Sequence, residues 1–161
     1  MMTSFGVFSL LYEPLDEPTM SRLAMIDGME YFLYKIGRWS EAYEIQVFHF
    51  SKMEKVLGKE HPSTLTSIDN LALVLSSQGK YEEAERIHRQ ALALRETVLG
   101  EEHPDTLTSM NNLASVLSRQ GRYEEAERMH RQALALWETV LGKEHPSTLT
   151  SSSTSTKRTK N

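Results

Sequence analysis

His61, His103 and His145 each follow a glutamate and precede a proline. Imidazole beside carboxylate is the raw material of a metal site or a general base. Their 42-residue spacing argues against one shared ion. On equivalent stacked helices such side chains lie about 10 to 20 Å apart, whereas zinc ligands all sit within about 2.1 Å of the metal. No metal is expected, and the histidines read as packing at helix joints. The paired carboxylates Glu82 with Glu83 and Glu124 with Glu125 lie in strongly polar runs. No apolar pocket is at hand to raise a carboxyl pKa for acid–base work. The chain has no cysteine, which removes thiol nucleophiles, thiolate metal sites and disulfides. It has no glycine-rich phosphate loop, nucleophile elbow or His-Glu-x-x-His string. Neither an enzyme nor a cofactor site is expected. The regular repetition of the chain points toward binding rather than catalysis.

The elements come from a 42-residue block written twice, over 58–99 and 100–141. Gly58, His61, Pro62, Asn70, Gly79, Tyr81, Ala84 and Leu99 recur at Gly100, His103, Pro104, Asn112, Gly121, Tyr123, Ala126 and Leu141. Repetition at this period marks a solenoid, in which each unit covers an apolar face that its neighbour cannot bury alone. Leu65, Ile68, Leu71, Ala72 and Leu75, and again Leu107, Met110, Leu113, Ala114 and Leu117, fall at helical spacing. They predict one first helix per unit, ending at Gly79 or Gly121, where positive φ suits a glycine. A second helix follows from Tyr81 or Tyr123 and closes at Gly100 or Gly142. His-Pro opens the next unit, with proline at the first turn and Ser63 or Asp105 supplying a cap or favourable charge. Glu82–Arg86, Glu85–Arg89, Glu124–Arg128 and Glu127–Arg131 are i, i+4 pairs, which support a solvated helix face by about 0.2 to 0.5 kcal/mol each.

A third, worn copy lies upstream over 20–57. Gly37, Trp39, Ala42, Val56 and Leu57 stand 42 residues before Gly79, Tyr81, Ala84, Val98 and Leu99. Glu30, His49 and Gly28 replace the residues found at Ala72, Ala91 and Asn70, so a looser helix pair is expected there. Segment 1–19 reads as the remnant of a preceding helix. Segment 142–161 reads as the start of an aborted fourth repeat followed by a disordered Ser/Thr/Lys tail. The fold class is all-α, a solenoid of antiparallel helix pairs.

Of 161 residues, 39% are hydrophobic and 25% charged, and the net charge is -4 with basic and acidic residues interleaved. No strong attraction to nucleic acid follows. The most apolar run, Phe5 to Tyr12, is far shorter than the roughly 20 residues a spanning helix needs. No basic residue precedes it as in a secretory leader. A cytoplasmic protein without a membrane anchor is expected.

The string Asn70-Leu71-Ala72, Leu75, Gln78-Gly79-Lys80-Tyr81-Glu82-Glu83-Ala84, Gln90-Ala91-Leu92, repeated from Asn112 to Leu134, resembles the tetratricopeptide repeat. The 42-residue period and the Leu-Gly-Lys/Glu-Glu-His-Pro joint are similar to the kinesin-light-chain subclass; similar arrays occur at the C-terminus of nucleotide-sensing signalling proteins. The resemblance implies helix pairs stacked into a right-handed superhelix, with a concave groove that holds a peptide of a protein partner. It places the groove at Thr66, Asp69, Asn70, Leu73 and Ser77 in one copy and Thr108, Asn111, Asn112, Ser115 and Arg119 in the next. In the worn copy it points to Asp27, Tyr31, Tyr34 and Lys35. Nine positions differ between the two clean copies. Three of them, 69/111, 73/115 and 77/119, fall on groove positions, and the pair Arg95/Trp137 reads as a change of surface chemistry. The alternative to a peptide scaffold is a self-associating module, or the sensor end of a larger signalling protein, joined through an uncapped C-terminal repeat.

Overall fold

The computed structural model describes residues 28–142 and Leu149. The readings for 1–19, for Asp27, for His145 and for the tail after Gly142 fall outside the described residues. Six helices run through 28–142: α1 (28–35), α2 (Trp39–Leu57), α3 (Pro62–Ser77), α4 (Tyr81–Leu99), α5 (Pro104–Arg119) and α6 (Tyr123–Leu141). No strand occurs among the described residues. Connections of three or four residues force consecutive helices to fold back on one another. The worn copy does not shorten its second helix: α2, α4 and α6 each have 19 residues.

Every turn is built on a glycine. Gly37, Gly58, Gly79, Gly100, Gly121 and Gly142 all have φ between 78° and 90°, and they recur every 21 residues. At Gly79 the chain leaves α3, with the Lys80 N–H donating to the Leu75 carbonyl and the Gly79 N–H to Ser76. That positive φ is what a side chain would oppose.

The starts of α3 and α5 correct a detail of the sequence reading. His61 and His103 are themselves the caps: their Nδ1 atoms accept the backbone N–H of Ser63 and Asp105, each at 3.1 Å. The Ser63 hydroxyl does not cap α3, while Asp105 keeps the expected negative charge in the first turn of α5. Proline follows at the first turn of each, where its missing N–H costs nothing.

The core follows the repeat. Leu92, Leu107, Met110, Leu113, Ala114, Leu117, Ala126, Ala133 and Trp137 are buried together between α4, α5 and α6. One valine in each of α3 and α5 reaches back into the preceding unit. Val74 of α3 packs with Leu33, Ala42 and Ile45, and Val116 of α5 packs with Leu71, Ala72, Leu75 and Ala84. These valines are 1% and 2% exposed, so each joint buries close to a full side chain's worth of apolar transfer, about 1.5 to 3 kcal/mol. Each helix packs on its chain neighbours, and the first helices α3 and α5 also touch. That contact brings the candidate recognition residues of successive units side by side.

Candidate functional site

The residues singled out by spacing separate into two sets. Thr66, Leu73, Thr108, Ser115, Arg119, Tyr31 and Lys35 are exposed, while Asn70, Asn112, Asn111, Ser77 and Tyr34 are half-buried. Asp69 is not on the surface at all. It is 5% exposed, and its carboxylate is engaged by His88, Arg95 and Ser109.

The exposed and half-buried set lies on first helices, and between α1 and α3 it encloses a hollow. Glu30, Tyr31, Tyr34, Asn70, Leu73 and Val74 line it, with a volume of about 270 Å³. Tyr34 and Ser77 join the two helices across this hollow, with Oη and Oγ hydrogen-bonded at 3.2 Å. Ser77 Oγ also lies 3.1 Å from the Leu73 carbonyl of its own helix, an i−4 back-bond that fixes the serine rotamer. Tyr34 aligns with Ser76 and Ser118 of the later copies, not with one of their groove positions. It reaches the hollow because its ring extends where serine would stop. At the rim, Lys35 Nζ sits 5.1 Å from the centroid of the Tyr31 ring, within cation–π range. In the following unit, the threonine and serine hydroxyls of Thr108 and Ser115 bond back to the carbonyls of Pro104 and Asn111, at 2.9 Å each.

Asn111, half-buried, and Asp69, buried, occupy equivalent positions and do related work between the two helices of a unit. His130 Nδ1 is 3.0 Å from Asn111 Oδ1, as His88 Nδ1 is 3.1 Å from Asp69 Oδ1. An amide or carboxylate oxygen only accepts, so Nδ1 carries the hydrogen in both rings. These bonds tie the second helix of a unit to its first. Burial alone would push the Asp69 carboxyl up, but the hydrogen bond from His88 and the charge and hydrogen bond of Arg95 outweigh it. They hold the group below its ordinary value of 3.8.

Two residues that spacing assigned to the surface are interior. Arg95 is 4% and Trp137 5% exposed. The guanidinium of Arg95 meets Asp69 and, across the joint, Ser109 of the next unit. Where Asp69 becomes Asn111, Arg95 becomes Trp137; the charge pair is exchanged as a pair. The signal was present in the sequence as two coupled differences, and it was missed because a buried arginine is rare without a partner in view.

The solvated glutamate–arginine pairs also do more than expected. Arg89 bonds Glu85 at 2.9 Å within α4 and Glu125 at 2.8 Å across the joint, and Arg122 bonds Glu85 at 2.8 Å from the other side. Arg122 also meets Glu125. One joint earlier Tyr43 stands in place of Glu85, and Lys80 Nζ lies 5.3 Å from its ring centroid. The same joint is thus closed by four charges in one place and by cation–π contact in the other.

Among the described residues no group of three or more His, Asp or Glu side chains is placed to hold a metal. No helix among them is long and apolar enough to cross a membrane.

The family model for the tetratricopeptide repeat matches residues 31–97, 67–139 and 105–154 in overlapping registers. The chain belongs to the tetratricopeptide repeat family. Its repeats superpose on the crystal structure of a Podosopora anserina putative kinesin light chain with nearly identical TPR-like repeats. The TM-score is 0.76 at 31% identity, over 84% of this chain and 64% of that one. A single-residue variant of that protein gives 0.77 at 30% identity, over 88% of this chain and 66% of the other. This chain therefore spans just under two thirds of those structures. BtubC (BKLC) from P. vanneervenii shares the fold with a TM-score of 0.73 at 20% identity, over 87% of this chain and 56% of that one. A comparison with curated protein sequences gives no match. The tetratricopeptide hairpins and the 42-residue kinesin-light-chain-like period expected from the sequence are both present.

Proposed function

We propose that this chain is a protein-interaction scaffold that holds an extended segment of a partner protein along its first helices, in the manner of kinesin-light-chain-like arrays. The observation that carries the reading is the hollow between α1 and α3. Three of its six lining residues, Tyr31, Asn70 and Leu73, are positions at which the repeat pattern places groove contacts, and Tyr34 reaches in beside them. Asn112 stands one unit further on, at the same place in its helix as Asn70, and supplies a second amide to the same strand of peptide. Two amides one unit apart suit an extended chain, which advances about 3.3 Å per residue, because the backbone presents unpaired donors and acceptors along its whole length.

The test is selection of displayed peptides on the whole chain, followed by fluorescence anisotropy of the enriched sequences against wild type and the Asn70→Ala, Asn112→Ala double variant. Loss of two hydrogen bonds at about 0.5 to 1.5 kcal/mol each weakens binding by about fivefold or more, with the circular dichroism unchanged. An enriched peptide that binds the double variant as tightly as wild type overturns the groove assignment.

A further inference from the structure

The joint-facing positions of α1 are apolar and exposed. In α3 and α5, Val74 and Val116 turn into the preceding unit at 1% and 2% exposure. Four residues on, Gln78 donates to the Trp39 carbonyl at 3.0 Å and Gln120 to the Glu85 carboxylate at 2.9 Å, each on the preceding second helix. The same two positions of the first unit hold Phe32 and Ile36. Phe32 is 60% and Ile36 50% exposed. The Ile36 N–H donates to the Phe32 carbonyl, so the two side chains share one helical face. Met29, at the position of the buried Leu71 and Leu113, is 41% exposed. The face that both later joints bury is more apolar here and stands open among the described residues.

We propose that residues 1–13 of this chain cover that face, in the place a second helix takes at the later joints. At the repeat spacing, Val7, Phe8 and Leu11 fall on Ala91, Leu92 and Arg95 of α4, each of them buried. Thr3 falls on Ile45, which packs with Val74, the counterpart of Phe32. The most apolar run of the chain thus meets the register of a buried helix face. Pro14 ends a helix at residue 13 at the latest. A tethered segment suits this face better than a free partner. A standard interface buries about 800 Å² on each side, and three partly covered side chains fall well short of that. A segment joined to α1 by the chain itself needs less, because a flexible link holds it at an effective concentration on the order of millimolar. The same helix carries Tyr31 and Tyr34 to the hollow, so the covering segment braces one wall of it.

The chain has no cysteine, so pairs can be introduced and their disulfide closure timed in the whole protein. Thr3→Cys is combined in turn with Phe32→Cys, Tyr31→Cys and Tyr123→Cys, and Ile45→Cys with Val74→Cys serves as the reference contact. Closure within one chain at 32 is expected to be at least about tenfold faster than at 31 or 123, because only 32 lies under the segment. Equal rates at 31 and 32 would show mere tethering. Faster closure at 31 would put the segment in the hollow, and disulfides between two chains would put a second copy on the face. Each of these three results overturns the proposal. In the unmodified chain, nuclear Overhauser contacts from the Phe32 ring to residues 1–13 are expected. Their absence overturns the proposal even where the Phe32→Cys variant does not fold.

Discussion

The buried carboxylate of Asp69 in α3 is ion-paired with the buried guanidinium of Arg95 in α4, and Ser109 of the next unit closes on both. In the following unit the same two positions are Asn111 and Trp137. One repeat scaffold thus accepts two different interior solutions, one ionic and one neutral.

The two solutions are expected to be exchangeable only as pairs. Asp69→Asn alone leaves Arg95 buried without a counter-charge and is expected to cost about 3 kcal/mol or more. Adding Arg95→Trp recreates the neighbour's arrangement and is expected to recover most of that loss. Urea denaturation of the two single variants and the double variant yields the coupling energy; additive losses would show that the pair is not coupled.

Asp69 also sets an acid limb. Its carboxyl lies below its ordinary value of 3.8, burial being outweighed by His88 and Arg95. The stability it contributes is therefore complete above that ordinary value and is lost as the pH falls through the lower value of the folded state. Glu85, where burial is outweighed by Gln120, Arg122 and Arg89, has the same sign. Glu96, raised by burial and by Glu101, has the opposite sign. The Asp69→Asn, Arg95→Trp double variant is expected to lose less stability than wild type between about pH 6 and about pH 3, as read by denaturation midpoints.

At Gly79, φ is +80° and a Cβ would meet no atom within 4 Å. The cost of Gly79→Ala is then conformational, about 1 to 2 kcal/mol. D-alanine introduced there by chemical ligation prefers positive φ and is expected to be neutral or stabilising. A similar loss for both enantiomers would point to a clash instead.

The joint network around Glu85 is only part-shielded, so its contribution is modest. Glu85→Gln is expected to cost less than about 1 kcal/mol, and the difference from wild type is expected to shrink between about 0.05 and about 0.5 M salt. Thermal melts at the two ionic strengths check it. A salt-independent loss would assign the effect to packing.

The fold was legible because a period of 42 residues leaves few architectures and because glycine and proline punctuate each helix where φ or a missing N–H demands it. The exposure of most first-helix positions singled out was legible for the same reason: helical phase fixes which side of a helix a residue shares with its neighbours. Phase could not separate Asp69 from Asn70, whose side chains diverge by about 100°, one into the unit and one to its surface. Nor could it show that Arg95 is interior, since only the partner makes burial of a guanidinium tolerable. His61 and His103 as caps went unread because serine and aspartate, the commoner capping residues, stood two positions later.

The left-handed glycines at 37, 58, 79, 100, 121 and 142 make every helix-and-turn an equal link. Leu57-Gly58 and Leu99-Gly100 are identical seams, so excising 58–99 would splice the remaining helices without a change of phase. Removal of a single link would instead reverse the direction of everything downstream and turn its inner wall outward. Such a chain can gain or lose length only by even numbers of links, which confines its evolutionary editing to whole hairpins.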